Sequence, residues 1–131
     1  MALANAFALI FSLIFGIHSS ATISTNVEAP TVTATFDASQ VETLAKCLTK
    51  KNAIMYGAYW CPHCQKQRAL FGDAFQYVKY QECDPKGENS NPKACETAGI
   101  LNYPTWEIPG HAKMEGEQTL EDLAKASSCQ I

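Results

Sequence analysis

The apolar positions of this chain form one unbroken leader followed by short periodic segments. From Ala2 to Ile17 there is no charged residue, and Phe7 to Phe15 is built almost wholly of Phe, Leu, Ile and Ala. The run is shorter than the roughly 20 residues of a membrane-spanning helix. It also lacks the polar face of a helix packed on a globular core. It predicts a secretory signal over 1–21, with Ser19-Ser20-Ala21 supplying the small residues before cleavage after Ala21. No Lys or Arg stands between Met1 and the apolar run, so an uncleaved anchor is the alternative. Residues 22–35, rich in Thr, Ala and Val with Pro30, read as an extended lead-in, leaving 36–131 as the domain.

Within the domain the pattern alternates between helix and strand. Val41, Leu44, Ala45 and Leu48 recur at helical spacing, and Ser39-Gln-Val-Glu42 matches a capping box, which predicts a helix from Ser39 closed by Lys50-Lys51-Asn52. Ala53 to Ala58 reads as a short buried strand, a second helix runs from just past Cys61 to about Phe75, and Tyr77 to Cys83 is another strand. Asp84 to Pro92 is a polar loop. A short helix around Lys93 to Ala98 ends at Gly99, a residue suited to a helix C-terminus. Thr105 to Ile108, Pro109-Gly110 and His111 to Met114 suggest a hairpin, and Thr119-Leu-Glu-Asp122 caps a last helix through about Ala126. The order αβαβαββα predicts an α/β fold: a mixed sheet of about four strands with helices on both faces.

Composition narrows the class. The chain has 131 residues, 47% of them apolar and 18% charged, which suits one folded domain, expected to be a monomer. The net charge of −3 offers no basic footprint for nucleic acid. No glycine-rich phosphate loop and no Ser-His-Asp pattern is present. Six cysteines are too few for a disulfide scaffold without a core, yet too many to lack a purpose.

That purpose centres on Trp60-Cys61-Pro62-His63-Cys64. A Cys-x-x-Cys that follows a strand and opens a helix is a thiol-redox arrangement. At the cap position, unpaired N–H groups and the positive end of the helix dipole favour a Cys61 thiolate. Pro62 suits the first helical position, where its missing N–H costs nothing. Cys64 shares a helix face with Phe71 and Phe75, so it is expected to be the hidden, resolving sulfur and Cys61 the accessible, attacking one. An imidazole at His63 should lower the Cys61 pKa and make the disulfide more oxidising. The alternatives are an inert disulfide or half a zinc site; zinc wants a second pair at similar spacing, and Cys83 and Cys95 stand too far apart, so no metal or other cofactor is expected.

Forty residues downstream, Gly99-Ile-Leu-Asn-Tyr103-Pro104-Thr105 precedes a strand, and a Tyr-Pro bond can hold the cis form at modest cost. With the Cys-x-x-Cys, this resembles the thioredoxin fold. The resemblance implies that Pro104 is the cis-proline packed on the dithiol, and that Tyr103 and Trp60 rim a substrate groove. Tyr56-Gly-Ala-Tyr-Trp-Cys-Pro-His-Cys-Gln-Lys-Gln67, Leu70-Phe-Gly72, Glu82-Cys-Asp-Pro-Lys-Gly87, Cys95 and Gly99 to Trp106 are closer still to the thioredoxin-like domains associated with vitamin K epoxide reductase-type membrane enzymes. That implies an exported thiol-disulfide oxidoreductase, acting in a periplasm or lumen. It would take electrons from client proteins bearing thiols or disulfides and pass them to a quinone-linked membrane partner, here expected as a separate chain. Bacterial periplasmic disulfide oxidases share the Cys-Pro-His-Cys centre but carry a helical insertion with no room here. Reductases of the fold usually bear a buried carboxylate in the strand before the motif, and Met55 stands there instead, which weakens the reductase reading. A reductase or isomerase and a redox-inactive peptide-binding module remain the alternatives.

The other four cysteines allow three pairings. Cys83–Cys95, tying a strand end to the next helix, is favoured over free thiols or a relay to Cys61. Cys47 and Cys129 are a tentative second pair, with an intermolecular bridge at Cys129 as the alternative. Tyr56 and Tyr59 read as packing at least as readily as groove residues, and Lys66, Arg68 and His111 read as solvated.

Overall fold

The computed structural model describes residues 35–131; the signal or anchor segment over 1–21 and the lead-in, apart from Thr35, lie outside the described residues. Among the described residues, four α-helices and four strands follow one another in the order that the periodicity predicts: α1 (Ala38–Lys50), β1 (Ile54–Gly57), α2 (Pro62–Phe71), β2 (Tyr80–Glu82), α3 (Pro92–Thr97), β3 (Thr105–Glu107), β4 (Met114–Glu115) and α4 (Leu120–Ser127). The sheet order is β2-β1-β3-β4. β1 runs parallel to β2 and antiparallel to β3, and β3 is antiparallel to β4. The result is a four-stranded mixed sheet in an α/β, thioredoxin-like fold.

Local chemistry moves several boundaries. α1 starts one residue before the expected Ser39, because Asp37 rather than Ser39 is the cap. Its carboxylate accepts from the backbone of Ser39 and Gln40, while the Gln40 side chain accepts from the Asp37 N–H. That exchange satisfies donors which helix geometry leaves open. α2 stops at Phe71 rather than Phe75, since Gly72 adopts positive φ; the chain goes on as a 3-10 segment over Gly72–Tyr77. β4 shrinks to two residues at the far end of the expected hairpin arm. Thr119 caps α4, accepting from the Asp122 N–H.

Side-chain alternation sorts the core into two clusters. Met55 and Trp106, paired across β1 and β3, are fully buried with Leu44, Leu48, Phe71 and Leu123, so α1, α2 and α4 cover one face. Tyr56, on the opposite face of β1, is buried with Cys83 and Cys95, which brings α3 to the other side.

Two disulfides staple these layers. Cys47 of α1 is bonded to Cys129 just past α4, with Cα atoms 6.0 Å apart. Cys83 is bonded to Cys95 of α3, with Cα atoms 5.8 Å apart. Both separations fall in the range that a disulfide spans. The first closes the longer loop, 82 residues against 12. A cross-link of that length removes more freedom from the unfolded chain, so replacing Cys47 and Cys129 together by Ala should cost about 2–4 kcal/mol. The thermal midpoint should fall by about 10 °C or more. A midpoint within about 2 °C of the parent would refute this.

Candidate functional site

The site forms where α2 meets the end of β1. Cys61 caps α2 in an extended conformation, Pro62 takes the first helical position, and Cys64 turns inward with Gln67 and Phe71. Cys61 and Cys64 carry free thiols, whereas the other four cysteines are bonded. The Tyr103–Pro104 peptide bond is cis. Pro104 is fully buried, and the Tyr103 carbonyl accepts from Cys61 Sγ at 3.6 Å. The fold therefore brings the dithiol and the proline loop, forty residues apart in sequence, into contact.

Two hydrogen-bond sets fix this arrangement. Gly116 N–H donates to the Pro104 carbonyl at 2.8 Å, holding the proline loop to the end of β4. The fully buried Gln67 amide donates to the Gln118 carbonyl at 3.0 Å and accepts from the Gln118 N–H at 2.6 Å. This reciprocal pair satisfies a side chain that would be costly to bury unpaired. It also ties α2 to the connection between β4 and α4, two residues past the Gly116 that holds the proline loop.

One expectation needs correcting. Cys61 does not stand open: it is 5% exposed, against 1% for Cys64. The proline loop lies over its sulfur, and the helix cap is packed between that loop and β1. What stands open is the rim. Trp60 is 54% exposed, its indole N–H donating to Asp84 Oδ2 at 2.8 Å, and that bond is the first cause holding the Asp84 carboxyl below its ordinary range. Tyr59 and Leu101 are also exposed, so Tyr59 is not a packing residue, whereas Tyr56 is.

His63 points to solvent and meets Glu117, its Nδ1 2.6 Å from Oε1, while Lys66 Nζ lies 3.9 Å from the same oxygen. An imidazolium there shares its charge with an acid instead of spending it wholly on Cys61. Glu117 and Asp84 were not legible as site residues, because their partners lie 54 and 24 residues away. Arg68 is exposed, as expected, and its guanidinium also lies over the rings of Phe75 and Tyr80.

Beneath the dithiol the packing is tight. A methyl group at Gly57 would sit 2.8 Å from Cys64 Sγ and 3.2 Å from the Tyr80 hydroxyl oxygen. Burial, the largest cause, pushes the Cys64 thiol up to about 12, and neighbouring Cys61 adds to the shift. Such a group remains a neutral thiol unless something takes its proton. Among the described residues no cluster of His, Cys, Asp and Glu is gathered to hold a metal, and no helix is long and apolar enough to cross a membrane.

No family model matches the chain. A thiol-disulfide oxidoreductase of Arabidopsis thaliana, LTO1, is 42% identical to it over 86 residues, covering 63% of this chain and 23% of that protein. The chain thus spans about a quarter of the length of this curated relative.

Two predictions test the packing. Gly57→Ala should cost about 1–3 kcal/mol, the usual penalty of overfilling a core. Denaturant unfolding would check it, and an unchanged midpoint would refute the close approach. The second concerns pH. Folding raises the Cys64 value from an ordinary 9.0, so the stability of the dithiol form is whole below about pH 9 and falls as pH climbs toward 12. The disulfide form has no such proton, while Tyr56, Tyr80 and Tyr103 titrate in both forms. Urea midpoints of the two forms between about pH 8 and 11 should diverge, and parallel curves would refute the burial of that thiol.

Proposed function

We propose that this chain is a protein thiol-disulfide oxidoreductase that exchanges disulfides with client proteins through Cys61 and Cys64. The observation that carries the reading is the contact of the Cys61 sulfur with the carbonyl just before cis-Pro104. That contact sets a free thiol against the cis-proline loop, with the second free thiol three residues along the chain. The likeness to a thiol-disulfide oxidoreductase over 86 residues supports the same chemistry.

The favoured direction is oxidation of exported clients. A client thiolate attacks Cys61 of the Cys61–Cys64 disulfide; the Cys61–client bond forms as the Cys61–Cys64 bond breaks, and Cys64 leaves with the electron pair. A second client thiol then attacks the client sulfur, releasing oxidised client and the reduced dithiol. Recharging is assigned to a quinone-linked membrane partner of the vitamin K epoxide reductase type, and the setting to a periplasm or lumen. The two structural disulfides support an oxidising compartment. His63 and Pro62 tune the centre, and Trp60, Tyr103 and Pro104 line the client groove.

Reduction or isomerisation is the second reading. Met55 supplies no carboxylate, but Glu82 of β2 is 4% exposed and lies in register beside Gly57, so an acid is present below the dithiol after all.

Cys64→Ala should trap mixed disulfides between Cys61 and client proteins, visible as thiol-sensitive adducts on non-reducing gels. An absence of adducts would leave only a redox-inactive binding module. The Cys61–Cys64 reduction potential decides direction: a value near roughly −120 mV supports an oxidase and one near −270 mV a reductase.

A further inference from the structure

Glu82 is a buried acid that the disulfide-exchange scheme leaves unused. β1 and β2 are parallel, with Met55 beside Tyr80 and Gly57 beside Glu82. By the two-residue alternation of strands, Tyr80 and Glu82 therefore face the same side as Gly57, the side on which Cys64 sits. Glu82 Oε2 accepts from the Tyr80 hydroxyl at 2.8 Å, and Oε1 accepts from the Asp84 N–H at 2.8 Å. Gly87 closes over the carboxylate: a Cβ there would come within 2.3 Å of Glu82 Cγ. The Tyr80 oxygen and the Cys64 sulfur border the same space, each within 3.2 Å of where a Gly57 side chain would begin.

We propose that Glu82, acting through the Tyr80 hydroxyl, takes the proton from Cys64 as Cys64 resolves a mixed disulfide on Cys61. This rests on the redox reading above and specifies how its inner thiol is activated. The remaining ionisable groups around the dyad are Cys61 and Arg68 of α2, Asp84 beyond β2, and Tyr103 of the proline loop. Arg68 lies over the Tyr80 ring at 5.4 Å and is the one cation among them.

In the step itself, the Cys64 S–H proton passes to the Tyr80 oxygen while the Tyr80 proton passes to Glu82 Oε2. Cys64 Sγ bonds to Cys61 Sγ, the Cys61–client bond breaks, and the electron pair leaves on the client sulfur, which is protonated by solvent. The Cys61–Cys64 pair is oxidised and the client cysteine reduced. Negative charge moves from carboxylate to departing sulfur, and no free Cys64 thiolate has to exist in the buried site. The reverse sequence returns the proton to Cys64 when a client thiolate opens the disulfide, so the relay serves either direction. Positioned general bases of this kind contribute roughly 10²–10⁴-fold.

The test mixes the reduced full chain, its two structural disulfides intact, with dithionitrobenzoate in a stopped-flow instrument. Cys61 attacks first and releases one thionitrobenzoate; Cys64 then displaces the second from Cys61. Cys64→Ala should abolish the second phase, which assigns it. In the parent chain the second phase should level off near neutral pH. In Glu82→Gln and in Tyr80→Phe it should slow about tenfold or more at pH 7 and climb steadily with hydroxide, while the first phase stays within about twofold. Tyr80→Phe removes one oxygen and keeps the Asp84 contact of Glu82, so it carries the test if Glu82→Gln does not fold. Second-phase pH profiles matching the parent in either variant would overturn the relay. Failure of the first phase in the parent chain would instead overturn the redox reading itself.

Discussion

Everything about this site depends on the space that Gly57 leaves empty. The sulfur of Cys64 sits where a side chain at position 57 would go, so α2 can descend onto β1 far enough to bury that thiol. Once α2 is that low, its capping residue reaches the carbonyl before the cis-proline, and its Gln67 reaches the backbone of Gln118. A single missing methyl group thus sets the height of the helix, and the helix sets the contacts. Interiors packed at crystal-like density offer little slack to recover such a loss.

The two sulfurs of the pair consequently live in different surroundings. Cys61 sits at a helix mouth under the cis-proline loop, near a rim of Trp60, Asp84, His63 and Glu117. Cys64 faces apolar core and a tyrosine, and burial holds its proton more tightly than an ordinary thiol's. This contrast suits a division of labour in which the sulfur next to the exposed rim is attacked first and the other acts from behind. It also means that the inner thiol cannot act on acidity alone, which is why a carboxylate reached through a phenol matters.

The disulfides hold the frame without entering the site. Cys47–Cys129 joins the first and last helices, so the sheet face bearing the dithiol is clamped by a covalent loop of most of the domain. Cys83–Cys95 lies on the opposite face, in the cluster with Tyr56. It anchors the residue that follows Glu82, and so helps fix the strand on which the buried acid stands.

Much of this was already decided by the order of residues. The stripe Val41, Leu44, Ala45, Leu48 dictated a helix, the strand-Cys-x-x-Cys-helix succession dictated where sulfur would stand, and the alternation of short segments dictated an α/β sheet. Those features depend on neighbours within about a turn or a strand pair, so local pattern suffices. Asp37 displaced Ser39 as the cap because two candidate acceptors lay within three residues, and only geometry chooses between them. The covering of Cys61, the pairing of His63 with Glu117, and the convergence of Tyr80 and Glu82 on Cys64 were decided by the fold alone. Each joins residues on different elements, and strand register, which no local pattern encodes, determined which side chains would share a face.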